Sequence, residues 1–121
     1  MTKVLIVDDE ELIRGFLKLH FEARGYDVVE AENGEEAVSI AGSEVPDLIV
    51  LDMNMPVMTG WDAVKELKSE GAETKSIPII ALTAQKTLND QIEAHEAGCD
   101  TFVEKPIVPE KLFEAVERIL S

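Results

Sequence analysis

The sequence of 121 residues lacks several features that mark particular classes of protein. Its one cysteine, Cys99, has no partner for an internal disulfide, a zinc site or a CxxC redox pair. No apolar run approaches the roughly 20 residues that cross a bilayer, and the apolar part of the N-terminus is too short and too soon acidic for a signal peptide. We therefore expect one cytoplasmic domain over residues 1–121, with no membrane insertion.

Basic residues are also scarce. Lysine and arginine total 11 against 25 aspartates and glutamates, which gives a formal net charge of −14. Proteins bind nucleic acids largely by neutralising phosphates with basic side chains, so this charge argues against direct nucleic-acid binding. The acidic excess points to a function only where several acids converge on one place in the fold.

Residues 47–52 are the most informative stretch of the chain. Four consecutive apolar residues between acids are typical of a strand that is buried on both faces of a parallel sheet. Residues 3–7, 77–82 and 100–103 predict three further strands, and the more polar residues 26–31 predict a strand near the sheet edge. Because predicted helices alternate with these strands, we expect a doubly wound α/β fold with a five-stranded parallel sheet.

The helices are predicted from apolar spacing and from signals at their ends. The first begins at Glu10 and ends at Gly25. The second begins at a capping box formed by Asn33 and Glu36, and ends at Gly42. The other three are predicted from residue 59, over residues 87–97 and from residue 109. The predicted apolar face of the first helix consists of Leu12, Ile13, Phe16, Leu17 and Leu19.

Polar side chains follow the buried strands at their carboxyl ends, namely Asp8 and Asp9, Asp52, Thr83 and Lys105. These strand ends share one edge of a parallel sheet, where open α/β sheets bind ligands. Three carboxylates repel one another unless a cation lies among them, and oxygen ligands suit Mg²⁺. A lysine and a hydroxyl beside Asp52 suit a phosphoryl group. Each residue alone has a simpler structural explanation, but the combination favours a Mg²⁺-dependent phosphoryl site.

This set of residues resembles the receiver domain of two-component response regulators. The resemblance covers the chain from about residue 3 to the last helix, in the order and spacing of that family. It implies a flavodoxin-like (receiver) fold with strand order 2-1-3-4-5. It rests on the pair Asp8-Asp9, on Asp52 in Leu-Asp-Met-Asn-Met-Pro, and on Gly60, Thr83-Ala84 and Lys105-Pro106.

The resemblance implies that Asp52 accepts a phosphoryl group and forms an acyl phosphate. The donor would be the phosphohistidine of a sensor histidine kinase or a histidine phosphotransferase. Mg²⁺ would be the cofactor, held by Asp9, Asp52 and the backbone carbonyl of Asn54, with Asp8 acting through a water. The domain would phosphorylate itself from a phosphodonor and dephosphorylate slowly, without turning over a separate substrate.

The resemblance also assigns residues around the phosphoryl group. Lys105 would contact its oxygens, Thr83 and Ala84 would complete the site, and the peptide bond before Pro106 would be cis. Thr83 would move towards the phosphoryl group and Phe102 would turn into the space it leaves. This would reshape the face formed by the fourth helix, the fifth strand and the fifth helix, where a downstream protein would bind. An ordinary core role for Phe102 is equally open.

Two further expectations concern lifetime and assembly. Asn54 and Gln85 would tune the lifetime of the phosphoryl group, and since Gln85 is not a base we expect slow to moderate self-hydrolysis. No output domain is visible in the sequence, so we expect a receiver that works alone through protein contacts or in a phosphorelay, as a monomer or a phosphorylation-linked dimer. A receiver cut from a longer protein would have the same sequence.

Two other functions stay open from the sequence. A small phosphatase resembling the haloacid-dehalogenase enzymes would also use a strand-end aspartate, Mg²⁺ and a lysine. Those enzymes carry Asp-x-Asp, whereas this chain has Asn54 two residues after Asp52 and no length for a cap domain. A pseudo-receiver that binds a partner without phosphorylation is the second alternative, and the intact set of acids, threonine and lysine argues against it.

Overall fold

A computed structural model describes residues 2–53, 60–69, 72–83 and 98–120. The helix predicted over residues 87–97 lies outside these ranges. None of the helices within them has the length and apolar character needed to cross a membrane. The elements are β1 (Lys3–Val7), α1 (Glu11–Ala23), β2 (Asp27–Ala31), α2 (Gly34–Glu44), β3 (Leu48–Asp52), α3 (Gly60–Leu67), a 3₁₀ turn (Glu73–Ser76), β4 (Ile79–Thr83), β5 (Thr101–Glu104) and α4 (Pro109–Leu120).

The five strands form one parallel sheet in the order β2-β1-β3-β4-β5. This confirms the predicted doubly wound fold and its strand order. Every residue of β3 and β4 is buried, as their apolar sequences predict, whereas β2 at the sheet edge has exposed acids. In the register of the sheet Asp52 pairs with Leu82 and Thr83 pairs with Glu104, so the ends of β3, β4 and β5 lie side by side.

Alternate side chains of each strand enter two separate cores, one on each face of the sheet. On one face Leu5 and Leu51 pack with small residues of α2 and with Val64 and Leu67 of α3. On the other face the strands pack against α1 and α4. The buried helical side chains there are Leu17, Phe21, Leu112, Phe113 and Val116. Helices therefore cover both faces of the sheet, and in open α/β folds of this kind ligands bind at the carboxyl edge of the strands.

The predicted apolar face of α1 is wrong in part. Leu12 and Leu19 are 88% and 68% exposed and Phe16 is also exposed, whereas Phe21, which was not predicted, is fully buried beside Leu17. The helix carries two apolar stripes at helical spacing, one through residues 13, 17 and 21 and the other through residues 12, 16 and 19. Spacing alone does not decide which stripe faces the sheet, because both fit the period of a helix.

The structure confirms two of the predicted helix ends and corrects a third. Gly25 ends α1 with φ +88°, and the Asn33 side chain caps α2 by accepting a hydrogen bond from the Glu36 N–H at 2.8 Å. The predicted end of α2 at Gly42 is wrong. The helix continues to Glu44, and Val45 follows in the left-handed conformation with φ +45° and its N–H bonded to the carbonyl of Ala41. A glycine permits a helix to end but does not require it.

Candidate functional site

The sheet brings the predicted polar residues together at its carboxyl edge. Asp8 directly follows β1, and its N–H donates a hydrogen bond to the carbonyl of Ala31 on β2 at 3.2 Å. Asp52 is the last residue of β3 and Thr83 the last of β4. Lys105 directly follows β5 and its N–H donates to the carbonyl of Thr83 at 2.8 Å. Asp8, Asp52 and Thr83 are all buried, so each of these polar groups depends on neighbours rather than on water.

Lys105 brings a positive charge to the site. Its Nζ lies 3.1 Å from Oδ1 of Asp52 and 3.9 Å from Oδ2 of Asp8. Its side chain is 22% exposed, so it reaches from solvent onto two carboxylates that are themselves buried. The peptide bond between Lys105 and Pro106 is cis. Within the described part of the chain one positive charge faces two buried carboxylates, so positive charge is short there when both are ionised.

Asp8 shows this shortage directly. Its Oδ1 accepts a hydrogen bond from the N–H of Glu10 at 2.9 Å, but its Oδ2 is a buried oxygen with no hydrogen-bond partner among the described residues. Burial raises the pKa of Asp8 from its usual 3.8 to about 6; the charges of Asp52 and Asp9 also raise it, and the Glu10 N–H and Lys105 act against the rise. A buried carboxylate oxygen without a donor is a position that a metal ion or a metal-bound water would satisfy.

Three carboxylates lie close together at residues 8–10, which follow β1 and form what we call the β1 turn. Asp8, Asp9 and Glu10 each place a carboxylate oxygen within 4.8 Å of the others, with Asp8 buried and the other two exposed. These hard oxygen donors, with the unsatisfied oxygen of Asp8, fit Mg²⁺. Glu10 was not predicted as a member of the site. Its position at the start of a helix gave it a simpler explanation, and the only signal was its place directly after the acid pair.

Of the remaining predicted site residues, the structure describes Phe102 but not Asn54, Ala84 or Gln85. Phe102 is partly buried in β5, where it packs against the core on the α2 and α3 face and also lines a surface cavity of about 650 Å³ between β5 and α4. Asn54, Ala84 and Gln85 lie outside the described residues, so their predicted roles stay predictions. A residue that the sequence did not suggest, Arg14 of α1, donates a hydrogen bond to the backbone carbonyl of Asp8 at 2.9 Å.

Taken together, the fold and the site define a class: a flavodoxin-like α/β domain with an acidic, lysine-capped site at the carboxyl edge of its sheet. Residues 4–117 match the family model described as the response regulator receiver domain. The chain belongs to the response regulator receiver domain family. Membership implies a role in phosphorylation-dependent two-component signalling, and domains of this family typically act as signalling switches rather than as enzymes.

Similar proteins agree with this assignment. The chemotaxis protein CheY4 of Vibrio cholerae is 36% identical, with a TM-score of 0.91 over 98% of each chain. The receiver domain of the sensor histidine kinase PA1611 from Pseudomonas aeruginosa is 27% identical, with a TM-score of 0.88 over 97% of this chain and 95% of that one. Its structure has a magnesium ion coordinated in the active site cleft.

Among curated sequences, the probable transcriptional regulator ycf27 of Porphyridium aerugineum is 40% identical over 118 residues. The match covers 98% of this chain and 48% of that protein. The chain therefore spans about half the length of the curated relatives it matches.

Proposed function

We propose that this chain is a phosphorylation-dependent switch whose phosphoacceptor is Asp52. The phosphoryl donor is a phosphohistidine on a sensor histidine kinase or a histidine phosphotransferase. The observation that carries the proposal is the approach of Lys105 Nζ to within 3.1 Å of Oδ1 of the buried Asp52, beside the acids of the β1 turn. A cation held against one strand-end carboxylate is placed to meet the charge of a phosphoryl group on it.

In the transfer step, an oxygen of the ionised Asp52 carboxylate attacks the phosphorus of the phosphohistidine. A P–O bond forms, the P–N bond breaks, and the imidazole nitrogen keeps the electron pair of the broken bond. Lys105 stays close to Asp52 and to the phosphoryl group, and it balances the negative charge of the phosphoryl oxygens. Thr83 at the end of β4 and Ala84 after it complete the surroundings of the phosphoryl group.

The metal of the site is Mg²⁺, which when bound supplies positive charge to the phosphoryl oxygens. Asp9, Asp52 and the backbone carbonyl of Asn54 would hold it, and Asp8 would act through a water. Support comes from the unsatisfied Oδ2 of Asp8 and from the three neighbouring carboxylates of the β1 turn. The magnesium ion in the cleft of the PA1611 receiver domain supports the same assignment.

The output of the switch is the surface that includes β5 and α4, which is the fifth of the predicted helices. Thr83 moves to hydrogen-bond the phosphoryl group and Phe102 turns inward, which changes this face for a downstream protein. Phe102 packs against the core on the α2 and α3 face and is one of the residues that line the cavity beside α4, and both contacts support this role. Asn54 and Gln85 set the lifetime of the phosphoryl group, and the domain acts as a monomer or a phosphorylation-linked dimer.

The test is the intact mass of the protein after incubation with acetyl phosphate, with Mg²⁺ and with a chelator. We expect a gain of one phosphoryl group that requires Mg²⁺ and is lost in Asp52→Asn. The matched control is Asp27→Asn, which changes an exposed acid at the start of β2 and should leave the gain intact.

Failure to form any adduct would contradict the proposal and favour a receiver that binds its partner without phosphorylation. Turnover of a generic phosphoester by the purified protein would instead favour the phosphatase alternative. Both results are read from the same protein preparation, since release of inorganic phosphate is measured in parallel with the mass.

A further inference from the structure

Arg14 of α1 contacts the turn that carries the acidic cluster of Asp8, Asp9 and Glu10. Its Nη1 donates a hydrogen bond to the backbone carbonyl of Asp8 at 2.9 Å. Its Nε lies 3.5 Å from Glu30 and its Nη2 lies 3.7 Å from Glu32. The side chain is only 12% exposed, although it belongs to a residue type that is usually solvated. A sheltered guanidinium with three oxygen partners is held in one orientation by them.

The turn is thereby fixed on both sides of Asp8. The N–H of Asp8 is bonded to Ala31 at the end of β2, and its carbonyl is bonded to Arg14. Glu30, which orients the guanidinium, also belongs to β2. Hydrogen bonds thus anchor the backbone on both sides of Asp8, where the three carboxylates lie close together despite their mutual repulsion.

We propose that Arg14 is a positioning residue for the Mg²⁺ site. By fixing the Asp8 carbonyl it preorganises the β1 turn, so that the acids meet a metal ion without a further loss of backbone freedom. The inference rests on the proposed function, because it presupposes that this site binds Mg²⁺. It adds a residue that lies outside the ligand set and touches neither the metal ligands' carboxylates nor Asp52 in the described contacts.

The direction in which Mg²⁺ affinity changes when Arg14 is replaced distinguishes a positioning role from a purely electrostatic one. Arg14 is a cation close to an acidic site, so its charge alone opposes the binding of Mg²⁺, and its removal would strengthen binding. Loss of positioning has the opposite sign, since a turn that is free to move binds the ion less tightly. Weaker binding after removal of a nearby positive charge is therefore specific to the positioning role.

Lys18 provides a matched control for charge. It lies one helical turn after Arg14, and its Nζ is 3.7 Å from the same Glu30. Within the described part of the chain it has no contact with the β1 turn. Replacement of Lys18 by methionine removes one positive charge and one partner of Glu30, as replacement of Arg14 does, but leaves the hydrogen bond to the Asp8 carbonyl in place.

The experiment measures Mg²⁺ and Ca²⁺ dissociation constants by isothermal titration calorimetry for wild type, Arg14→Met and Lys18→Met. For Arg14→Met we expect the Mg²⁺ constant to rise about fivefold, the equivalent of about 1 kcal/mol for one hydrogen bond. We expect the Ca²⁺ constant to rise less, because Ca²⁺ tolerates irregular coordination and Mg²⁺ demands near-octahedral geometry. Lys18→Met should bind Mg²⁺ as tightly as wild type or more tightly.

Several results would overturn the inference. One is an unchanged or lower Mg²⁺ constant in Arg14→Met, and another is an equal rise in Lys18→Met. Should circular dichroism show that Arg14→Met is unfolded, Arg14→Gln replaces it, and a rise of less than about twofold then counts against the role. A wild-type protein that binds no Mg²⁺ would refute the proposed metal site itself, whereas normal wild-type binding with unaffected variants refutes only the role of Arg14.

Discussion

The Nζ atom of Lys105 lies 3.1 Å from Oδ1 of Asp52, in a site where Asp52 is buried and the lysine is partly open to solvent. The same Nζ lies 3.9 Å from Oδ2 of Asp8. Within the described part of the chain one ammonium group thus faces two buried carboxylates, and one of these, Asp8, lies in a turn with two more acids. The charge of this arrangement determines how the site responds to metal ions, to pH and to mutation of its own residues.

Mg²⁺ is expected to stabilise the fold. The ion relieves the repulsion among the site carboxylates and binds the folded state alone, so at 100 times its dissociation constant it adds up to about 2.7 kcal/mol. The measurement compares the melting midpoint in Mg²⁺ and in chelator, with Na⁺ at equal ionic strength as the control. An unchanged midpoint would refute the prediction.

Asp8→Asn is expected to change the dependence of stability on pH in chelator. The folded pKa of Asp8, about 6, is above its usual 3.8, so the protonated form favours the fold. This contribution is fully present below about pH 3.8 and is lost as the pH rises through about 6, a loss on the order of 3 kcal/mol. Asparagine does not ionise, so the variant should gain stability relative to wild type at pH 8.

Urea unfolding at pH 4, 5 and 8 measures this change. The difference between Asp8→Asn and wild type should grow with pH up to about 6–7 and then stay level. Asp27→Asn, at the start of β2, is the control and should follow wild type throughout. A difference that is the same at all three values of pH would show that Asp8 titrates normally in the folded protein.

Lys105→Met is expected to lower the free energy of unfolding by about 2 kcal/mol in chelator at pH 8. Removal of one partner from a buried ion pair leaves an uncompensated charge, and the partial exposure of Lys105 reduces the full effect. Mg²⁺ should restore part of the loss. The control is Lys111→Met on the exposed side of α4, which should change stability by less than about 0.5 kcal/mol. Equal losses in the two variants would contradict the prediction.

Val45→Gly is expected to stabilise the protein by about 1 kcal/mol. Val45 has φ +45°, a conformation that costs a residue with a Cβ about 1–2 kcal/mol and glycine very little, and its side chain is exposed. Thermal or urea unfolding measures the change. Val108→Gly serves as the control, because Val108 is an exposed valine without a positive φ and its replacement should destabilise. A loss of stability in Val45→Gly would show that the valine side chain contributes more than its backbone strain costs.

Some local features of this fold were predictable because a few neighbouring residues decide them. Asn33 caps α2 through its side-chain oxygen, and Gly25 ends α1 because a residue without a Cβ adopts a positive φ easily. Gly42 was misleading because it permits a helix end that the continuing hydrogen bonds of α2 made unnecessary. The buried face of α1 was not predictable from spacing, because two apolar stripes satisfy the same period and only packing against α4 and the sheet selects the one that contains Phe21.

The sequence by itself determined which strands are buried and, through the shared edge of a parallel sheet, that Asp8, Asp52, Thr83 and Lys105 meet there. Runs of apolar residues and the polar residues that end them are local signals, so they can be recognised in the sequence without knowledge of the fold. Only the tertiary structure decided that Lys105 contacts two carboxylates, that one oxygen of Asp8 has no donor among the described residues and that Arg14 bonds to the carbonyl of Asp8. These contacts depend on distances between side chains of separate helices and strands. Packing sets those distances, and residue spacing along the chain does not reveal them.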